Sequence, residues 1–171
     1  MKPSFWQRMD QLARNLTPFG LTLILVLAGV VPLQIEGMAR ITPLLALASV
    51  YHWAVYRPDL LPPGAVFALA LVQDILGGLP LGMSCLVYLT VQGIVVWQNR
   101  FLAGKSFLIV WMGFSLILGA AALQLWALMS AFHGAVLDLH ALTYQYMVTI
   151  GFFPLLSWSL IRWQQTVLRQ E

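Results

Sequence analysis

One carboxylate lies inside a long apolar stretch of this sequence, at Asp74 of "VQDILGGLPLG" (residues 72–82). An ionisable side chain at membrane depth usually faces a bundle interior, a cavity or a partner group, and it is a functional candidate by default. The long apolar runs contain no Lys or Arg that would pair with it. We therefore expect a neutral carboxyl that donates a hydrogen bond. The sequence does not choose among the possible partners Gln73, Gln92, Gln124 and His52.

Two roles for Asp74 are open at this point. It can form a structural hydrogen bond that locks two neighbouring spans together, or it can serve transport or catalysis. A broken helix beside an acidic residue resembles a transporter site. General acid–base catalysis needs a second group, and the sequence contains no HExxH, GxSxG, Walker loop or paired intramembrane aspartates. We favour the structural role and expect no catalytic residue and no enzyme activity.

Helix-breaking residues follow Asp74 within two turns, at Gly77, Gly78, Pro80 and Gly82. Together they are expected to end one helix and let the chain reverse tightly into the next. Irregular backbone near membrane depth is tolerated only where protein or a water-filled cavity covers it. The stretch therefore predicts a helical hairpin that is buried against other spans. Its turn either reaches the outer face or stops short of it.

A second polar group, "HGAVLDLH", contains His133, Asp138 and His140. Zinc or copper can use such side chains, but three ligands in one loop match no established spacing. The alternative is a polar loop in which Asp138 caps the following helix. We favour the polar loop and predict no metal and no cofactor.

Small residues recur every four positions at Ala127, Ala131 and Ala135. This spacing lets helix backbones approach closely in a membrane. Packing within the chain and docking of a partner helix explain it equally well.

The elements that position these residues follow from composition. Of 171 residues, 60% are hydrophobic and 9% are charged, whereas a soluble domain has about 25% charged residues. An apolar run of about 20 residues is needed to span a bilayer. The runs predict six spans, at roughly 18–36, 41–56, 63–79, 82–98, 106–130 and 142–161. The predicted fold class is an all-α integral membrane protein.

The basic residues set the predicted orientation. With six spans, eight of the nine Lys and Arg residues lie on the side of the two termini, and Arg40 lies on the other side. Basic residues are retained on the cytoplasmic face, so both termini are predicted to be cytoplasmic. The net charge of +3 then reflects topology and contact with anionic lipid. Nucleic-acid binding has no support.

The predicted organisation is a cytoplasmic N-terminal segment at 1–17, a six-span domain at 18–163 and a cytoplasmic tail at 164–171. Apolar residues at helical spacing, with Ser4 and Gln7 as a capping box, indicate a short amphipathic helix on the inner membrane surface. The equally supported alternative is that this segment extends the first span into the cytoplasm.

An ordered set of residues runs through the predicted second to fourth spans and ends in the sixth: Pro43, Trp53, Arg57, Pro58, Asp59, Pro62, Phe67, Asp74, Gly77, Leu81, Gly82 and the run 86–89, followed by Gly151 and Pro154. This order resembles the rod shape-determining protein MreD family. One departure is Ala70, where the family commonly has glycine four residues before the aspartate. Chain length, six spans and two cytoplasmic ends also agree with the family across essentially the whole chain.

The resemblance implies a non-enzymatic component of the bacterial cell-elongation complex in the cytoplasmic (inner) membrane. Such a protein binds the single-span protein MreC. It works with RodA, a penicillin-binding transpeptidase and the MreB cytoskeleton in lateral peptidoglycan synthesis and rod cell shape.

Two other functions are kept open. The resemblance also implies a bundle similar to the substrate-binding S components of energy-coupling-factor vitamin transporters. That function requires polar side chains converging on an outward-open pocket and a small-residue stripe in the first span. The stretch "LTLILVLAGVV" (residues 21–31) of that span has only Ala28 and Gly29 and lacks a repeated stripe. The third and weakest function is an intramembrane lipid enzyme that uses Asp74.

Overall fold

The computed structural model describes residues 5–30, 44–102, 104–136 and 139–167. These residues form six α-helices and one short 3-10 helix, and none of them lies in a strand. The helices are α1 (Phe5–Val30), α2 (Leu45–Tyr56), α3 (Pro63–Gly77), α4 (Met83–Leu102), α5 (Phe107–His133) and α6 (Leu139–Val167), with the 3-10 helix at Pro58–Leu60. The all-α part of the predicted fold class is confirmed.

The first helix is longer than the first predicted span. α1 begins at Phe5 and continues through Pro18 to Val30 without a break. The N-terminal segment is thus continuous with the first apolar run, as in the extension alternative. Ser4, half of the predicted capping box, lies outside the described residues. α6 also extends beyond its predicted span at both ends. The helix continues into polar residues, which a search for apolar runs does not include.

Helix lengths bear on the membrane prediction. α2 has 12 residues and α3 has 15, whereas a spanning helix needs about 20. Residues 41–43 of the predicted second span lie outside the described residues. Among the described helices, α5 with 27 residues is long and apolar enough to cross a membrane. The six-span arrangement stays a prediction.

α2 is the central helix of the bundle. It packs against α1, α4 and α6, and ten of its 12 residues are buried. α4 joins α2 to α3 and α5, while α5 packs mainly against α4 and α6 at the edge. A helix that is apolar on all sides is expected at such a central position.

Three buried aromatic rings join α2 to α5 and α6. Phe114 and Phe153 stack with ring centroids 4.0 Å apart, and Tyr51 lies 5.1 Å from Phe114. The Tyr51 hydroxyl also donates a hydrogen bond to the Val110 carbonyl at 2.9 Å. Aromatic pairs stabilise by about 0.5–1.5 kcal/mol beyond their buried area. This cluster therefore sets the positions of α5 and α6 relative to the central helix.

Candidate functional site

The stretch 72–82 forms the reversal between α3 and α4, and Asp74 holds its two ends together. Asp74 is fully buried and lies three residues before the end of α3. Its Oδ2 accepts a hydrogen bond from the backbone N–H of Gly82 at 2.8 Å. Its Oδ1 accepts one from the backbone N–H of Ser84 at 3.1 Å. Both carboxyl oxygens are thus bound to the backbone at the start of α4.

These bonds form because the start of a helix leaves backbone N–H groups without an acceptor. α4 begins at Met83, so the N–H of Ser84 belongs to a first turn, where backbone donors have no intrahelical acceptor. A carboxylate at this end also interacts favourably with the helix dipole. Asp74 therefore caps α4 from the preceding helix.

The predicted side-chain partners of Asp74 are wrong. Asp74 accepts two hydrogen bonds from the backbone, at Gly82 and Ser84, in place of the side-chain partner that was expected. Sequence identifies polar side chains, but it does not show which backbone donors a turn leaves unsatisfied. The four predicted partners bind elsewhere: Gln73 to Tyr88, Gln92 to Leu61, Gln124 to Thr90 and His52 to Ser157.

Two glycines in the reversal have backbone conformations that other residues rarely adopt. Gly78 follows the last helical residue of α3 with φ of 66°, and Gly82 precedes α4 with φ of 96°. The residue after a helix commonly takes this left-handed conformation. Gly77 is instead the last helical residue, and a Cβ there would meet Leu79 at an ordinary 3.8 Å. The glycine requirement therefore rests on Gly78 and Gly82.

The hairpin turn is not buried against other helices as predicted. Ile75, Leu76 and Leu81 are 62%, 45% and 69% exposed. Pro80 lies between the helices, and its carbonyl accepts a hydrogen bond from the N–H of Met83 at 3.3 Å. The turn thus presents apolar side chains outward, and Asp74 satisfies its backbone donors from the inside.

The part of the family-like pattern from Trp53 to Pro62 surrounds the turn between α2 and α3, and Pro43 lies outside the described residues. Trp53 is buried in α2 at 1% exposure. Its carbonyl accepts a hydrogen bond from the N–H of Arg57, which ends the helix. Arg57 and Asp59 have exposed side chains. Two prolines mark the starts of helices: Pro58 is the first residue of the 3-10 helix, and Pro62 directly precedes α3.

Five fully buried polar side chains line the contacts of α2 with α1 and α6. We call them the interior polar seam: Thr22, Ser49, His52, Thr149 and Ser157. Thr22 Oγ1 and Ser49 Oγ are 2.9 Å apart, and Ser157 Oγ is 3.2 Å from His52 Nδ1. Thr149 Oγ1 accepts a hydrogen bond from the N–H of Leu44 at 3.0 Å. Each bond joins two segments, because a buried polar group without a partner is costly.

Sequence reasoning missed most of this seam. Only His52 was a candidate, because Ser and Thr in a helix can bond to a carbonyl of their own helix instead. Thr22 Oγ1 does so at Pro18 as well as contacting Ser49. His52 Nε2 has no hydrogen-bond partner among the described residues.

Pro154 creates an interhelical hydrogen bond. It lies inside α6, and proline cannot donate to the carbonyl four residues earlier. That carbonyl belongs to Ile150, and the Trp111 Nε1–H of α5 donates to it at 3.3 Å. A tolerated proline in a membrane helix is usually compensated in this way by a neighbouring helix.

The alanine stripe is exposed. Ala127 and Ala131 lie on α5 with exposed side chains, and Ala135 lies beyond the end of that helix and is also exposed. Packing within the described part of the chain therefore does not explain the stripe. Docking of a partner helix is the alternative that stays.

The histidine-containing loop is described only in part. His133 ends α5, and its Nδ1 lies 2.9 Å from the Met129 carbonyl. Asp138, the predicted cap of α6, lies outside the described residues. Across the described ranges, no three His, Cys, Asp or Glu side chains form a metal-binding group.

Comparisons with known proteins give no family assignment. The chain matches no protein-family model, and it has no significant match among curated proteins or solved structures.

Proposed function

We propose that this protein is a non-enzymatic component of the bacterial cell-elongation complex, in which it binds MreC. It is embedded in the inner membrane by six spans with both termini in the cytoplasm. One observation carries the proposal: Asp74 uses both carboxyl oxygens to hold the α3–α4 hairpin together. A carboxyl bound in this way has a structural role, because it joins the end of α3 to the start of α4. Its position in the family-like order of residues points to the elongation complex.

A membrane setting explains why an acidic residue is needed in the hairpin. α3 is 15 residues long, or about 22 Å at 1.5 Å per residue, which is less than the roughly 30 Å hydrocarbon core. A turn that stops inside the core must satisfy its own backbone, because each unsatisfied group there costs several kcal/mol. Asp74 meets this need for Gly82 and Ser84.

The surface that we propose for MreC is the exposed face of α5. Leu116 and Leu123 are 77% and 58% exposed on this face, and Ala127 and Ala131 continue it. Small side chains allow a second helix to approach closely, and van der Waals packing then stabilises the pair. RodA, the transpeptidase and MreB belong to the wider complex and need no direct contact with this face.

Cysteine crosslinking tests this surface. In a chain whose native Cys85 is replaced by serine, cysteines at Ala127 and Ala131 should crosslink to the MreC transmembrane helix. A cysteine at Met147, which is 63% exposed on α6, is the matched control and should not crosslink. MreC should co-purify with the detergent-solubilised protein, and depletion should turn rods into spheres. Intact rods together with no co-purification would overturn the proposal.

A vitamin-binding S component is the second candidate, and His52 supports it. Its Nε2 is buried without a partner among the described residues, so one polar atom of the interior is free to bind a ligand. Against it, the other contacts of the interior polar seam are made within the seam or to backbone. A vitamin-dependent rise in melting temperature would favour this candidate.

A further inference from the structure

Gln124 of α5 and Thr90 of α4 form a polar pair among exposed apolar side chains. Thr90 is exposed and Gln124 is partly exposed, while Leu86 and Leu123 beside them are exposed. The Gln124 Nε2 lies 3.4 Å from the Thr90 Oγ1, and this is the one hydrogen bond of the Gln124 side chain within the described residues. The Thr90 hydroxyl donates its own proton to the Leu86 carbonyl at 2.7 Å. The Gln124 amide is therefore only partly satisfied.

On the membrane location given in the proposed function, Gln124 lies inside the hydrocarbon core. α5 contains 27 residues, or about 40 Å at 1.5 Å per residue, so a centred α5 exceeds the roughly 30 Å core at both ends. Along the helix axis, Gln124 is about 25 Å from Phe107 and about 14 Å from His133. An amide at that depth has no water to bind, and leaving it without partners is costly.

The free donors and acceptors of Gln124 select the group that completes it. A side-chain amide has two N–H donors and one carbonyl acceptor, and Thr90 accepts from one of the donors. One N–H and the Oε1 then need partners. A carboxylate supplies only acceptors and a lysine only donors, whereas a neutral amide or hydroxyl supplies both. The matching group is therefore a neutral amide or hydroxyl.

The surroundings of Gln124 identify the source of that group. Lipid does not supply it at this depth, because acyl chains have no hydrogen-bonding groups and headgroups lie outside the core. A second transmembrane helix does supply it. Ala120 and Ala127 are exposed four residues before and three residues after Gln124, on the same side of α5. Small side chains at these positions let a helix backbone approach the amide closely.

We propose that Gln124 binds an Asn, Gln, Ser or Thr side chain of a partner transmembrane helix that packs on α5. The inference rests on the proposed function, in which that helix belongs to MreC. Small residues alone let two helices slide past each other, whereas one buried polar contact fixes their register. Gln124 thus sets the depth and rotation of the partner helix.

The affinity of the full chain for full-length MreC, measured by energy transfer in lipid vesicles, tests the contact. Gln124→Met keeps the side-chain length and removes the donor and the acceptor. It should weaken the affinity by about three-fold and by no more than about 16-fold, the average and maximum for an interhelical hydrogen bond in a membrane. Gln98→Met is the matched control, because Gln98 is also an exposed glutamine, eight residues beyond Thr90 on α4, and it should leave the affinity unchanged.

Substitutions in the partner helix locate the second half of the contact. Each Asn, Gln, Ser and Thr of the MreC transmembrane helix is replaced by Leu in turn. One of these changes should weaken binding to the wild-type chain and have no further effect on binding to Gln124→Met. The series with the wild-type chain tests the contact even where Gln124→Met does not fold.

Three outcomes would overturn the contact. The first is a folded Gln124→Met chain that binds MreC as tightly as the wild-type chain does. The second is a partner helix in which no polar substitution changes the affinity. The third is self-association of the chain that Gln124→Met disrupts while MreC binding is unchanged, which would assign Gln124 to a second copy. Wild-type protein that does not bind MreC at all would instead overturn the proposed function, so the two failures are distinguishable.

Discussion

α2 and α5 are both apolar in sequence, yet they occupy opposite environments. α2 has ten buried residues among 12, including Ser49 and His52. α5 has five buried residues among 27, and Leu116 on its outer face is 77% exposed. The two helices therefore teach that apolar composition does not distinguish a protein-facing helix from a lipid-facing or partner-facing one. Fully buried polar side chains with interhelical partners, Ser49 and His52, mark the central helix, whereas α5 has no fully buried polar side chain.

The largest expected effect on stability comes from removing a buried tryptophan, with an exposed tryptophan as the control. Trp53→Ala in the central helix should lower the free energy of unfolding by about 3–5 kcal/mol, because it leaves a large cavity. Trp97→Ala is the matched control, since Trp97 is 81% exposed on α4, and it should change stability by less than about 0.5 kcal/mol. Reversible unfolding in mixed detergent micelles measures both. Equal effects would mean that α2 is not the core of the folded chain.

The second-largest effect is expected at Asp74, because its loss leaves two buried backbone N–H groups without an acceptor. Asp74→Leu should cost about 2–4 kcal/mol, and Asp74→Asn should cost less because its side-chain carbonyl still accepts one bond. The exposed Asp59→Leu is the control and should be nearly neutral. Unfolding and MreC co-purification should be measured together.

Complete loss of function in both Asp74 variants, with folding and partner binding intact, would instead assign a role to the carboxylate charge. Full complementation by Asp74→Ala would exclude a lipid enzyme that uses it.

Substitutions at two alanines of α5 distinguish its buried face from its exposed face. Ala121 is 2% exposed, so Ala121→Leu should overpack the core and cost about 1–3 kcal/mol. Ala127→Leu, at an exposed position, should leave unfolding unchanged while it weakens MreC co-purification. Destabilisation by both substitutions would place the stripe inside the folded chain and remove it as a docking surface.

The smallest expected effect is within the interior polar seam. Ser157→Ala removes the contact with His52 and should lower the free energy of unfolding by about 0.6 kcal/mol, and by no more than about 1.7 kcal/mol, the average and maximum for interhelical hydrogen bonds in a membrane. Ser159→Ala, two residues further along α6, removes a hydroxyl that bonds within its own helix, and it should be close to neutral. A cycle with His52→Ala isolates the pair energy. A coupling of zero would show that the contact contributes nothing.

Several features of this protein follow from sequence alone because their causes are local. The helices follow the long apolar runs, and the chain reverses after Asp74 because Gly78 and Gly82 permit positive φ. The importance of Asp74 is also visible in sequence, since one carboxyl in an apolar run needs partners. The bounds of α3 differ from the predicted span by two residues at one end.

The tertiary structure decided what these elements contact. It assigned Asp74 to backbone donors, placed α2 at the centre and α5 at the edge, and supplied a Trp111 donor for the carbonyl that Pro154 leaves free. The physical reason is that a lipid tail and a protein core are similarly apolar, so hydropathy cannot rank helix faces. Which faces meet depends on side-chain shape and on the few interhelical hydrogen bonds, and both depend on residues far apart in the chain.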